Sequence, residues 1–213
     1  MHTSVPRPFD KIPHEMVATN GLNLHAAVLG DGPLVILVHG FPESWYSWRH
    51  QIEPIAEAGF KVAAIDVRGY GGSDKPHPIN AYTYKEITSD IVGVADALGA
   101  GKAILVGHDW GALLAWHTAL LHPDTITAVC GLSIPYIGRL PAPYIDIAKK
   151  VYTSKNRFFY QVYFQEEGVA EAELEADIRG SLRRFFYAHS GDAPLGAWPT
   201  NKPQGARLLD GVD

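Results

Sequence analysis

A chain of 213 residues, 46% hydrophobic and 19% charged, is long enough to bury one proper core and has an ordinary globular composition. Its formal net charge of −5 leaves no basic stripe to displace counterions from phosphates, which excludes nucleic acid as a partner. No run of about 18 apolar residues offers a membrane span, residues 1–10 lack the apolar core of a signal peptide, and the single cysteine, Cys130, permits no internal disulfide, so the expected setting is the cytoplasm.

Two β-like runs, 16–19 and 22–28, flank Asn20-Gly21, a dipeptide that supplies the left-handed residues of a tight hairpin turn. Residues 34–39 are almost continuously apolar, as a strand covered on both faces must be. A helix is predicted over 48–58, with Trp48, Ile52 and Ile55 on one face and Gly59 as its stop. Then come a strand over 61–65, a glycine-rich loop, a helix over 84–98, a strand over 102–106, a helix over 112–122 and a strand over 127–134. Cys130 lies in the apolar run 128–132 and reads as a small core residue. An antiparallel entry followed by β-α-β-α-β predicts an α/β fold, a mostly parallel sheet flanked by helices.

After Pro135 the pattern changes. Residues 136–143 are loop-like, and from there to Asp192 the chain is helical, amphipathic and rich in aromatics, with no parallel-strand pattern. The expected organisation is therefore 1–135 as sheet core and 136–213 as a helical lid inserted between sheet strands. Within the lid, residues 171–178 read as a solvated acidic helix face and not as a metal site. Residues 191–213 are rich in Gly and Pro and show no clear element.

Function is concentrated in Gly107-His108-Asp109-Trp110-Gly111. This pentapeptide follows the apolar run 103–106 and leads into the helix-like run 112–116, the strand–sharp turn–helix setting of a nucleophile elbow. Its centre is aspartate, where the commonest version has serine. A carboxylate is already anionic near neutral pH and attacks without a base; it suits displacement at a saturated carbon, leaving an ester that water must cleave. Asp109 would also serve as a helix N-cap, but the flanking glycines and the buried strand favour the nucleophile. The implied chemistry is hydrolysis of strained or activated C–O or C–halogen bonds, with no metal or organic cofactor. The loop Asp66-Val67-Arg68-Gly69-Tyr70-Gly71-Gly72-Ser73-Asp74 has neither a P-loop lysine pattern nor a G-x-G-x-x-G opening a helix, which argues against phosphate or dinucleotide binding. Asp66 and Asp74 read as partners of Arg68 and of backbone amides.

Four blocks in order resemble the α/β-hydrolase superfamily and, within it, the epoxide hydrolases: His39-Gly40-Phe41-Pro42-Glu43-Ser44-Trp45, the glycine-rich loop, the elbow, and Tyr160-Gln161-Val162-Tyr163-Phe164-Gln165 running into 168–175. The match spans about residues 9–190, and the last block is the most specific to epoxide hydrolases. The resemblance implies an α/β-hydrolase fold with an inserted helical lid, and a set of roles. Asp109 is the nucleophile, and the backbone N–H groups of Phe41 and Trp110 form an oxyanion hole. The Phe41–Pro42 bond is cis. Tyr160 is a lid tyrosine that hydrogen-bonds the epoxide oxygen, against the bland reading that an aromatic beside Phe158, Phe159, Tyr163 and Phe164 is core. Trp110, Phe41 and Tyr136 wall a pocket that His39, Pro42, His108 and Phe164 also line. The two histidines are structural or pocket-lining and not bases, because the chain order in these hydrolases is nucleophile, acid, histidine. The substrate is a small apolar epoxide and the product a vicinal diol; a homodimer is left open.

The second chemical step needs a histidine base and an acid, which the resemblance puts downstream of the lid together with a second lid tyrosine. None can be placed: His189 is the last histidine and lies in the lid, and Pro135-Tyr136 stands where some relatives carry the acid. The expectation is a fragment of a longer enzyme or a naturally truncated protein, without turnover on its own and with a sheet edge exposed. The nearest rival is a haloalkane dehalogenase, which shares an aspartate followed by tryptophan but needs no acid tyrosine. A rival of another class is a non-catalytic ligand-binding remnant of the fold.

Overall fold

Asn20 and Gly21 take φ of 44° and 78° and turn β1 (His14–Thr19) tightly into β2 (Leu22–Leu29), with Thr19 opposite Leu22. Two successive left-handed residues match the twist of the flanking strands, as the dipeptide predicts. The computed structural model describes residues 8–212, so the reading of residues 1–7 as free of a signal peptide lies outside the described residues.

The contacts divide the chain into two units, Met1–Tyr136 and Ile137–Asp213. In the first, β3 (Leu34–Val38), β4 (Lys61–Ile65), β5 (Ala103–His108) and β6 (Ile126–Leu132) join the hairpin in one sheet, ordered β1-β2-β4-β3-β5-β6. The pairs β3/β4, β3/β5 and β5/β6 are parallel, whereas β2 meets β4 antiparallel. Side chains alternate along a strand, so β3 feeds two cores. Leu34, Ile36 and Val38 pack with Ile91, Val94, Leu114 and Ala115 of α2 (Tyr84–Ala97) and α3 (Trp110–Leu121). Val35 and Leu37 pack with Trp48 and with Ile52 of α1 (Ile52–Glu57). Both faces are covered, which is why β3 is apolar at every position.

The predicted helix over 48–58 is two pieces, a 3-10 turn at Trp45–Trp48 and then α1. Pro54 is the reason: it has no N–H to donate backward, and its ring would clash with the carbonyl four residues earlier. Cys130 is exposed, not the core residue expected. It lies on β6, which pairs with β5 on one side and has no other strand beside it among the described residues.

The second unit contains α4 (Tyr144–Thr153), α5 (Tyr160–Tyr163), α6 (Val169–Leu174) and α7 (Ile178–Ala188). Residues 191–212 form turns, with one bridge from Pro203 to Arg157, yet Leu208, Leu209 and Val212 are buried. Side chains tie this segment down. Glu173 accepts from the amides of Leu208 (3.1 Å) and Leu209 (2.9 Å) and from the Tyr163 hydroxyl (2.8 Å). Arg184 donates to the Leu209 and Val212 carbonyls, and the buried Lys202 donates to that of Leu208. Glu173 thus leaves the solvated acidic face expected of 171–178, while Glu171 and Glu175 keep to it. No helix among the described residues is long and apolar enough to cross a membrane.

Candidate active site

A single residue, Asp109, separates β5 from α3, with φ 54° and ψ −122°. Such a conformation costs a non-glycine residue of order 1–3 kcal/mol and persists only where the surroundings fix it. Here they do. A Cβ on Gly107 would stand 2.1 Å from the Gly111 carbonyl oxygen, and one on Gly111 would stand 2.0 Å from that of Val38. The turn closes only with glycine at both positions, and it lifts the aspartate clear of strand and helix.

The loop after β3 lies directly against that side chain. A Cβ on Gly40 would be 2.5 Å from Asp109 Oδ1, and the next amide, Phe41 N–H, donates to the same oxygen at 3.1 Å. The Phe41–Pro42 bond is cis. Trp110 opens α3, where the leading N–H groups have no carbonyl of their own helix to meet and favour negative charge. The Asp109 N–H is anchored in turn by the Leu132 carbonyl (3.3 Å) and Ser133 Oγ (3.2 Å) at the end of β6.

Three polar groups hold the Phe41 loop in place. His39 is 1% exposed; its Nε2 accepts from the Val67 amide at 3.0 Å, so Nδ1 carries the proton and donates to the Gly40 carbonyl at 2.8 Å. Burial pushes its pKa below the usual histidine range, which keeps the ring neutral. With both nitrogens engaged His39 anchors the loop, the structural half of the expectation that it is structural or pocket-lining. Glu43 accepts from the Gly40 amide at 2.9 Å and stands 3.2 Å from His108 Nδ1. Asp66, buried, accepts from the Trp45 amide (2.8 Å), the Gly72 amide (2.9 Å) and His25 Nδ1 (2.8 Å). Its expected partner Arg68 instead forks onto Asp90 at 2.6 and 2.8 Å, and Asp74 caps the Asn23 amide at 2.8 Å. Tyr70 meets the His39 ring edge-on at 5.0 Å; burial, helped by the Asp109 charge, pushes its hydroxyl up to about 12, so it stays protonated.

In the second unit Tyr160 opens α5, its ring edge-on to Phe159 (5.2 Å) and Phe164 (5.8 Å). The Gln161 side-chain amide donates to its hydroxyl oxygen at 2.9 Å. Within the first unit the structure therefore gathers Asp109, Phe41, Pro42, Trp110 and His108 at the adjoining ends of β3 and β5. Tyr136 is half exposed and lies against Trp116, ring centroids 6.3 Å apart. Glu43, Ser133 and Gln161 were not singled out from sequence. Glu43 and Gln161 sit inside the quoted motif blocks, so motif position was the available signal; for Ser133, whose φ is 68°, there was none.

The model of the alpha/beta hydrolase fold family matches residues 33–207. The chain belongs to that family, on its epoxide hydrolase branch. It is 47% identical over 173 residues to epoxide hydrolase A of Mycobacterium tuberculosis, covering 80% of this chain and 53% of the relative. The crystal structure of epoxide hydrolase A from Mycobacterium thermoresistibile superposes with a TM-score of 0.87 at 43% identity, covering 95% of this chain and 64% of that one. An epoxide hydrolase mutant of Vigna radiata gives 0.79 at 33% identity, covering 95% and 68%. The chain thus spans 53% to 68% of the length of these relatives.

Proposed function

We propose that the protein opens a small apolar epoxide through an alkyl ester on Asp109, and that hydrolysis of this ester to the vicinal diol needs a histidine base and an acid not identified among the described residues. The observation that carries this is the 3.1 Å hydrogen bond from the Phe41 amide to Asp109 Oδ1. It divides the two carboxylate oxygens. Oδ1 is held by a backbone donor, and Oδ2 is the attacking atom. Oδ2 forms a bond to a ring carbon as the ring C–O bond breaks, and the departing oxygen takes the proton of Tyr160. Water then adds to the carboxyl carbon of the ester and the bond from that carbon to Oδ2 breaks. The diol leaves carrying Oδ2 and one water proton, the other proton returns to the Tyr160 phenolate, and the water oxygen completes the Asp109 carboxylate. The charge that develops falls on Oδ1, where the Phe41 amide already points and where the Trp110 amide at the start of α3 joins it. His39, with both nitrogens engaged, is not the base for that water.

The names of the relatives support this reading, and none of those described above is a dehalogenase. A cytoplasmic setting accords with the single cysteine. The test sets styrene oxide against a chloroalkane of similar size. The expected result is a stoichiometric protein adduct from the epoxide and no chloride release from the halide. Chloride release without epoxide adduct would transfer the site to dehalogenation, and neither product would return it to a ligand-binding role.

A further inference from the structure

Among the described residues, four that are not glycine hold a positive φ: Asn20, Asp109, Ser133 and Asn156. The two asparagines adopt it readily, because a short amide side chain tolerates the left-handed region. The other two are bonded to each other: Ser133, at φ 68°, accepts on Oγ from the Asp109 N–H at 3.2 Å. A serine in that region is strained, and such strain persists only where the surroundings over-determine it. Trp116 of α3 supplies the restraint. Its Nε1–H donates to the Ile134 carbonyl at 3.1 Å, one residue beyond Ser133. Its indole lies so close to β6 that a Cβ on Gly131 would stand 2.7 Å from it. Ser133 is thus pinned between a glycine that admits the Trp116 ring and a carbonyl that the same ring holds. The helix that begins directly after Asp109 therefore also fixes the loop that reaches back to the Asp109 amide.

We propose that Ser133 is a positioning residue for the nucleophile: its strained backbone carries Oγ onto the Asp109 amide and so sets the angle at which the carboxylate stands above the turn. This rests on the nucleophile role given to Asp109 above. The aspartate is held at both ends. The loop after β3 takes its side chain, through the Phe41 N–H on Oδ1 at 3.1 Å. The loop after β6 takes its main chain, through Ser133 Oγ at 3.2 Å and the Leu132 carbonyl at 3.3 Å. Since β5 lies between β3 and β6 in the sheet, the two loops grip the residue from the strands on either side. Displacement at a saturated carbon needs the attacking oxygen in line with the bond that breaks, and a small misplacement lowers the rate. Without Oγ the Leu132 carbonyl alone holds the amide, and the peptide plane before Asp109 is freer to tilt.

The experiment compares Ser133→Gly and Ser133→Thr with the unaltered chain, reading the rate of adduct formation with styrene oxide by mass spectrometry and the urea midpoint of each. Glycine relieves the positive φ and removes Oγ. Threonine keeps Oγ and worsens the strain, because a β-branched residue is disfavoured at positive φ. Ser133→Gly should form the adduct about three- to tenfold more slowly, the loss of one hydrogen bond at the transition state, while its midpoint stays level or rises. Ser133→Thr should keep the rate of the unaltered chain while its midpoint falls. A loop that only has to fold would give the opposite pattern, with the rate following stability in both variants. An undiminished rate in Ser133→Gly overturns the assignment, as does a slower rate that comes with a lowered midpoint. If the threonine variant does not fold, the glycine variant decides alone. Absence of adduct in the unaltered chain overturns the Asp109 reading itself and the inference with it, so the two failures are distinguishable.

Discussion

Asp109 holds its place because the atoms around it admit no alternative. The decisive contact is 2.0 Å between a notional Cβ at position 111 and the carbonyl oxygen of Val38, a backbone atom at the end of the central strand β3. Gly111→Ala should therefore lower the stability of the first unit by about 1–3 kcal/mol or more and abolish alkylation, because relaxing the clash displaces the elbow. A urea midpoint equal to that of the unaltered protein would show that the turn has room to spare. At this scale the tight turn at Asp109 was readable from sequence, since two glycines bracketing one acid after an apolar strand mark a side chain raised on such a turn. The partners of the aspartate were not. Ser133 and Leu132 reach it from the end of β6. Such roles are set by contacts between distant residues, and no local pattern encodes them.

Among the elements, the sequence identified every strand of the sheet and misjudged mainly their ends. β5 continues two residues beyond the predicted strand and α3 begins two residues before the predicted helix, which compresses the turn to Asp109 alone. Close packing through Gly107 and Gly111 produces that compression, and hydrophobic periodicity does not register it. The break before α1 was available in Pro54, whose missing N–H outweighs the periodicity of Trp48, Ile52 and Ile55. The glycine-rich loop shows the opposite difficulty. Its acids were matched to the arginine nearest in sequence, whereas Arg68 reaches Asp90 on α2, both side chains at most 5% exposed. That buried fork clamps the loop to the helix, with a third donor to the Ala81 carbonyl at 2.8 Å. Asp90→Asn leaves the guanidinium buried without its counter-charge and should cost about 3–5 kcal/mol, measured by chemical denaturation. A loss below about 1 kcal/mol, the range of exposed pairs, would mean that the pair is solvated.

For the molecule as a whole, the division into two units reflects two ways of making structure from sequence. The first unit is periodic, with alternation in the strands and a 3.6-residue repeat in the helices, and its α/β class was readable for that reason. The second relies on short helices and on side chains that replace a strand or helix in residues 191–212, where Glu173, Arg184 and Lys202 take up the backbone groups of a segment with no repeat. No periodic signal announces such a segment. Glu173→Gln keeps the shape and weakens the acceptor shared by Leu208, Leu209 and Tyr163, so it should speed hydrogen exchange at the Leu208 and Leu209 amides by about tenfold, the worth of roughly 1–1.5 kcal/mol of charge-assisted bonding. Equal exchange rates would show that burial alone secures the segment. The family to which the chain belongs leaves the chemistry of this particular site to be measured. The most direct test is peptide mapping of the protein after brief exposure to styrene oxide, alongside Asp109→Asn. The mechanism predicts one adduct, on the peptide containing Asp109, absent from the variant; an adduct elsewhere, or one that survives the substitution, would contradict it.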